Sequence, residues 1–186
     1  MTQLTRAPAA REPTPAEVGV LATPKACGEC SLCCKVLAIE ELQKQGGLLC
    51  QHVRSGKGCG IYAERPQVCR VYQCSWSWAG PLDERWRPDR AGFLLHPGLE
   101  ASHVDIVVDP ERPDAWRREP YYSQIKQWSD RRNPAITRVL VTMPGHIIVV
   151  FPECEIDIGP PGKPIIYSGY AMKDGRMQPY AYFGDR

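Results

Sequence analysis

The chemistry in this chain is concentrated in one stretch, Cys27 to Cys74. It reads Cys27-Gly-Glu-Cys30-Ser-Leu-Cys33-Cys34, then Cys50, Cys59, Cys69 and Cys74, and it holds eight of the nine cysteines. Two cysteines separated by two residues can turn their thiolates toward one metal ion. Cys27 and Cys30 have that spacing, and Cys30 and Cys33 repeat it. Cys33 and Cys34 are adjacent, and neighbouring side chains usually diverge. The doublet therefore suggests two metal centres sharing this loop, or one multinuclear cluster. Cys69 and Cys74, with four residues between them, can supply a further pair. Cys50 and Cys59 complete a count of eight, which is two sets of four. All-thiolate sites suit zinc and iron–sulfur clusters alike, and a mononuclear iron site is a third option. The opening run is like the start of a bacterial ferredoxin motif, but Cys34 follows at once and no Cys-Pro closes it. The two-pair spacing of a zinc ribbon is also missing.

Other residues near the thiols matter to that chemistry. Four thiolates around a dication leave about two net negative charges, which nearby cations can offset. Lys25, Lys35, Arg54, Lys57, Arg65 and Arg70 lie close in sequence, though a solvated basic surface accounts for them equally well. His52 follows Cys50 by two residues and could replace a thiolate, but a solvent-facing or hydrogen-bonded side chain is the simpler expectation. Cys154 stands far from the cluster and reads as a buried thiol rather than a ligand. His96, His103 and His146 share no ligand spacing. Tyr62, Tyr72, Arg65 and Arg70 could surround a substrate, yet no nucleophile, base and orienting group stand out together. No Gly-rich loop follows a strand, as a dinucleotide or methyl-donor fold would need.

The chain of 186 residues is long enough for one ordinary domain plus a tail, so the cysteines are not required to staple a small core. Lys and Arg number 23 against 21 Asp and Glu, which gives no electrostatic case for nucleic acid or an anionic membrane. Met1 to Pro24 lacks the apolar core of a secretory signal, and no run approaches the roughly 20 apolar residues of a spanning helix. The expectation is a soluble, cytoplasmic protein. In a reducing compartment clustered thiols are metal ligands or redox groups more often than disulfides, and an odd total of nine fits disulfides poorly.

The elements that must position the thiols follow from pattern. Residues 1–24, rich in Pro, Ala, Thr and charge, predict a mobile arm. Ser31 could cap a helix over Leu32 to Gln45 stopped by Gly46-Gly47. The alternative is a strand from Lys35 to Ile39 followed by a helical turn at Glu40 to Gln45. Ser55 to Gly58 is a turn, and Arg65-Pro66 opens a short helix through Cys69 to Tyr72. Ser75 to Pro88 predicts an irregular segment laying Trp76, Trp78 and Trp86 over the cysteine module, with core packing favoured over a substrate platform. Phe93 to Leu95 and His103 to Asp109 predict strands. Asp114 to Arg132 predicts a helix interrupted or restarted at Pro120. Ile136 to Thr142 and His146 to Phe151 predict a β-hairpin through Met143-Pro144-Gly145, ended by Pro152. Ile165 to Tyr170 and Tyr180 to Phe183 read as short extended pieces.

The cysteine stretch resembles the YkgJ-type cysteine-cluster family, whose members are described as zinc- or iron-chelating. Its hallmark is Cys-x-x-Cys-x-x-Cys-Cys, then a Gly-Cys-x-Ile-Tyr element, an Arg-Pro and closing cysteines. Here these are Cys27-Cys30-Cys33-Cys34, Gly58-Cys59-Gly60-Ile61-Tyr62, Arg65-Pro66, Cys69-Arg70 and Cys74-Ser75-Trp76. The likeness spans roughly residues 25 to 95 and includes Arg87-Pro88-Asp89-Arg90. It implies a metal-chelating role for Cys27, Cys30, Cys33, Cys34, Cys50, Cys59, Cys69 and Cys74. Flagellin N-methylases share the motif, which implies that some members use an iron–sulfur centre in methyl transfer.

These readings converge on an α+β protein. A cysteine module at 25–95 packs on a small antiparallel sheet with one main helix, and residues 96–186 complete the same domain. The expected function is metal binding, with zinc or iron, the latter also as an iron–sulfur cluster, as cofactor. The alternatives are an iron–sulfur enzyme in redox or methyl transfer and a metal-delivery or interaction module using the tryptophan patch. The expected partner is a metal ion, with neither nucleic acid nor membrane.

Overall fold

The computed structural model describes residues 25–78, 81–97, 103–132, 136–161 and 165–185. The expected arm at 1–24 lies outside them. In chain order the elements are α1 (Leu32–Val36), β1 (Val53–Arg54), β2 (Gly58–Cys59), α2 (Gln67–Val71), α3 (Ser75–Trp78), α4 (Pro88–Ala91), β3 (Phe93–Pro97), β4 (His103–Val108), α5 (Tyr121–Trp128), β5 (Arg138–Met143), β6 (His146–Val150), β7 (Glu155–Asp157), β8 (Ile165–Lys173) and β9 (Arg176–Gly184). The content is α+β, as expected.

β3 to β7 form one five-stranded sheet in sequence order. The expected sheet was antiparallel, but β4 and β5 run parallel, with His103 opposite Arg138 and Val107 opposite Thr142. The other neighbours are antiparallel. Parallel neighbours cannot be joined by a hairpin and need a long crossover. Residues 109–137, which carry α5, supply it. The β5–β6 hairpin turns through Pro144 and Gly145, whose φ of 78° suits glycine. The helix expected over Asp114 to Arg132 is split into a 3₁₀ turn at Ala115–Arg117 and α5, with Pro120 at the junction because it lacks a donor.

Strand alternation gives the sheet two working faces. One face presents Phe93, Leu95, Ile106, Val108, Val139, Val141, Ile148 and Val150 to Trp76, Trp86, Trp116, Tyr121 and Ile125. Trp116 and Ile125 are fully buried, each contributing about 1.5–3 kcal/mol by removal from water. Trp86 meets Phe93 and Tyr121 edge-on, at centroid separations of 6.0 and 5.0 Å. Trp76 and Trp86 are therefore core residues rather than a platform. The side chain of Trp78 lies outside the described residues.

The opposite face carries the start of the cysteine segment, with Cys30 and Cys33, whereas Cys74 packs against the first face. Leu94 on β3 packs with Leu32 and Val36 of α1, and Val107 adjoins them. α1 stops far short of the expected Gln45. Leu37 is extended, Ile39 bridges to Lys44, and the Lys44 ammonium donates to the Lys35 and Leu37 carbonyls at the end of the helix. Ser31 makes no side-chain cap. A 3₁₀ turn at Glu40–Leu42 realises part of the alternative reading.

The last two expected pieces are one long hairpin. β8 and β9 pair from Ile165 opposite Gly184 to Lys173 opposite Arg176. Asp174 and Gly175 both have positive φ, 50° and 74°, the conformation of a primed two-residue turn. Among the described residues no helix is long and apolar enough to cross a membrane.

A buried ion pair ties module to sheet. Lys35 of α1 lies 2.8 Å from Asp109, just past β4, and 2.9 Å from Glu111. Arg112 stands 3.5 Å from Asp109, whose side chain is 8% exposed. Burial pushes the Asp109 carboxyl up, but Lys35, the Glu111 amide and Arg112 together hold it below the ordinary carboxylate value. Its stabilisation is thus complete above a pH of about 4 and is lost as pH falls through the lowered folded value. Asp109→Asn is expected to cost about 1–3 kcal/mol at neutral pH. Urea titrations should show the gap from the parent protein closing on acidification.

Candidate metal centre

Local backbone geometry brings the distant cysteines together. Cys27 to Cys30 is a tight turn, with the Cys30 N–H donating to the Cys27 carbonyl at 3.0 Å. Cys33 and Cys34 ride on α1. The Cys50 N–H donates to the Cys34 carbonyl, also at 3.0 Å, which fixes the loop beyond α1 back onto it. Cys59 lies on β2, opposite Val53 of β1. β2 meets the Cys27–Cys30 turn at backbone contact. A Cβ at Gly58 would stand 2.7 Å from the Gly28 carbonyl oxygen, and Gly58 has φ 75°, so both space and conformation require glycine. Cys69 sits in α2, opened by Pro66 as expected. Cys74 immediately precedes α3, where Ser77 donates to its carbonyl through both N–H and Oγ.

The thiols surround two adjoining cavities. The first, about 260 Å³, has seven of the eight cysteines in its wall; its other walls include Leu37, Ile61, Tyr72 and His96. Cys74 stands outside it and lines the second cavity, about 320 Å³, together with Trp76 and Ser77. Cys27, Cys30, Cys33 and Cys69 border both. All nine cysteines are free thiols. Among the described residues no three His, Cys, Asp or Glu side chains are already drawn together as a metal-ligand set. The thiols line a shared space rather than closing on a point.

Cys33 and Cys34 do not diverge as expected of neighbours. Their thiols are within hydrogen-bonding reach of one another. That contact, then burial and the neighbouring thiolates, push Cys33 well up. The same contact lowers Cys34 to about 7; burial opposes the shift, while Lys44 and Arg65 assist it. Burial raises Cys30, Cys69 and Cys74, and other thiolates add to each. Mutual repulsion of this kind is what a bound cation relieves, and metal ligation requires deprotonated thiols. Soft sulfur donors in this number, partly buried, fit zinc or an iron–sulfur centre.

The cations differ from those expected by sequence proximity. Lys35 turns to Asp109 and Glu111. Lys44, which sequence reasoning passed over, sits beside Cys50, Cys34, Cys33 and Cys69. Arg65 stacks over Tyr62 at 3.6 Å and lines both cavities, and Arg70 donates to the Arg65 carbonyl. His52 lines the first cavity while its carbonyl accepts from Gly60 at 2.7 Å. His96 is the unexpected arrival. It shares the module-facing side of β3 with Leu94, pairs across strands with Asp105, and packs 5.4 Å from Tyr72. The alternation Leu94, His96 was a readable sign of that side. Tyr72 borders both cavities, and its buried hydroxyl has no hydrogen-bond partner among the described residues. Cys154 lines neither cavity and borders the Lys126 contact instead, its carbonyl accepting at 3.1 Å.

Compared with known protein families, curated proteins and solved structures, the chain has no match.

The Cys33–Cys34 contact has a chemical readout. In metal-stripped, reduced protein, iodoacetamide should label Cys34 first, and its rate should rise through a midpoint near a pH of about 7. Lys44→Met removes a cation that favours the thiolate, so the midpoint should move up and neutral-pH labelling should slow. Peptide mapping of the alkylated protein measures both.

Proposed function

We propose that this chain is a metal-binding protein. Its eight clustered thiols, Cys27, Cys30, Cys33, Cys34, Cys50, Cys59, Cys69 and Cys74, hold zinc or iron, the latter also as an iron–sulfur centre. The observation that carries this reading is the gathering of seven of these thiols in one cavity wall with Cys74 in the next. The gathering comes from turns, a hairpin and two short helices that bury little on their own. Such segments need an added source of stability, and a bound metal is one. The resemblance to the YkgJ-type family points the same way. In this reading the protein residues supply thiolates, Lys44 and Arg65 moderate the net negative charge, and the bound group supplies either structural closure or redox chemistry.

The test is anaerobic purification with elemental analysis and an absorption spectrum on one sample. Stoichiometric zinc in a colourless protein, or iron with acid-labile sulfide and visible absorption, is the expected result. Chelation should then lower the melting temperature by several degrees, since structural metal contributes folding free energy directly. Metal-free protein with unchanged stability in chelator would overturn the proposal.

A further inference from the structure

We propose that the eight thiols divide into two four-thiol centres, Cys27, Cys30, Cys33 and Cys74 forming one and Cys34, Cys50, Cys59 and Cys69 the other. This inference rests on the metal-binding reading and assigns its ligands. The Cys33–Cys34 doublet is then the junction between centres.

The two ends of the thiol row are set apart by the cavities. Cys34, Cys50 and Cys59 border the first cavity and not the second, whereas Cys74 borders the second and not the first. One metal ion cannot be reached from both ends by all eight. Four thiols remain to be allotted. Cys27 and Cys30 share one tight turn, closed by the Cys30 amide, so they travel together. Cys30 and Cys33 both pack against the Leu32–Val36–Leu94 seat. Cys33 extends the two-residue spacing of that turn. On the other side, the Cys50 amide is bonded to Cys34, and β2 carries Cys59 from the same loop.

Cys69 borders both cavities and completes the second set by count, since Cys27, Cys30, Cys33 and Cys74 already make four. Tyr72 also borders both cavities and so stands between the two sets. The Cys33–Cys34 doublet joins them. Successive helical residues point about 100° apart, so a doublet on α1 can serve two neighbouring centres.

The arrangement is nested along the chain. The first set spans residues 27 to 74, and the second, from 34 to 69, lies wholly inside that span.

Substitution of the bound metal by the spin-active cadmium isotope tests the assignment on the unaltered protein. Proton–cadmium correlation spectra should show two cadmium signals. β-Protons of Cys27, Cys30, Cys33 and Cys74 should couple to one, and those of Cys34, Cys50, Cys59 and Cys69 to the other. Cys74→Ala and Cys59→Ala should each lose one cadmium equivalent in native mass spectrometry and extinguish different signals. A single signal coupled to all the thiols, or Cys74 and Cys59 on the same ion, would overturn the division while leaving the metal reading intact. Failure of the parent protein to take up cadmium, zinc or iron would overturn both.

Discussion

The seating of α1 on the back of the sheet governs the geometry of the module. Leu32 and Val36 press on Leu94, and Lys35, between them in sequence, enters the buried charge cluster of Asp109 and Arg112. A five-residue helix has little stability of its own. Its position is held by three side chains turned to the sheet, which leaves Cys33 and Cys34 turned toward the cavity. The next part of the chain is then placed against the module from this start. Cys50 is bonded back to Cys34, and the Cys27–Cys30 turn lies against β2.

The crowding of thiols then sets the electrostatics. Burial and mutual repulsion disfavour thiolates, and the fold answers in two ways. The contact between Cys33 and Cys34 raises the one and lowers the other, which favours charge on Cys34. Lys44 and Arg65 are brought beside it. Lys44 arrives because its ammonium also closes the end of α1, accepting no bond itself but satisfying two carbonyls. One side chain thus stops the helix and balances the charge that the helix presents.

Much of the framework was legible in the sequence. The alternations at Phe93 to Leu95, His103 to Asp109 and Ile136 to Phe151 mark β3 to β6 because each strand buries one side against large residues. The parallel β4–β5 pairing was missed although a helix-bearing segment between two strands is its usual sign. The final hairpin was under-read for a similar reason. Asp174-Gly175 is a strong primed-turn pair, but the polar flanks between Tyr170 and Tyr180 weaken the apolar pattern. The cysteine positions were plain, whereas Lys44 and His96 were not. Both reach the thiols through tertiary contacts, one by folding back past Ile39 and the other across the sheet, and neither contact has a local spacing.

The walls of the thiol cavities are unequal in firmness. Gly58 against Gly28 joins turn and hairpin backbone to backbone, and α1 is anchored to the sheet. α2, which carries Cys69, buries none of its residues, and Val68 and Val71 stand 42% and 64% exposed. Segments with so little burial open at small free-energy cost, without unfolding their neighbours. α2 is therefore the compliant side of an otherwise stiff vessel. The vessel can therefore give on this one side while the turn, the hairpin and α1 keep the other walls in place.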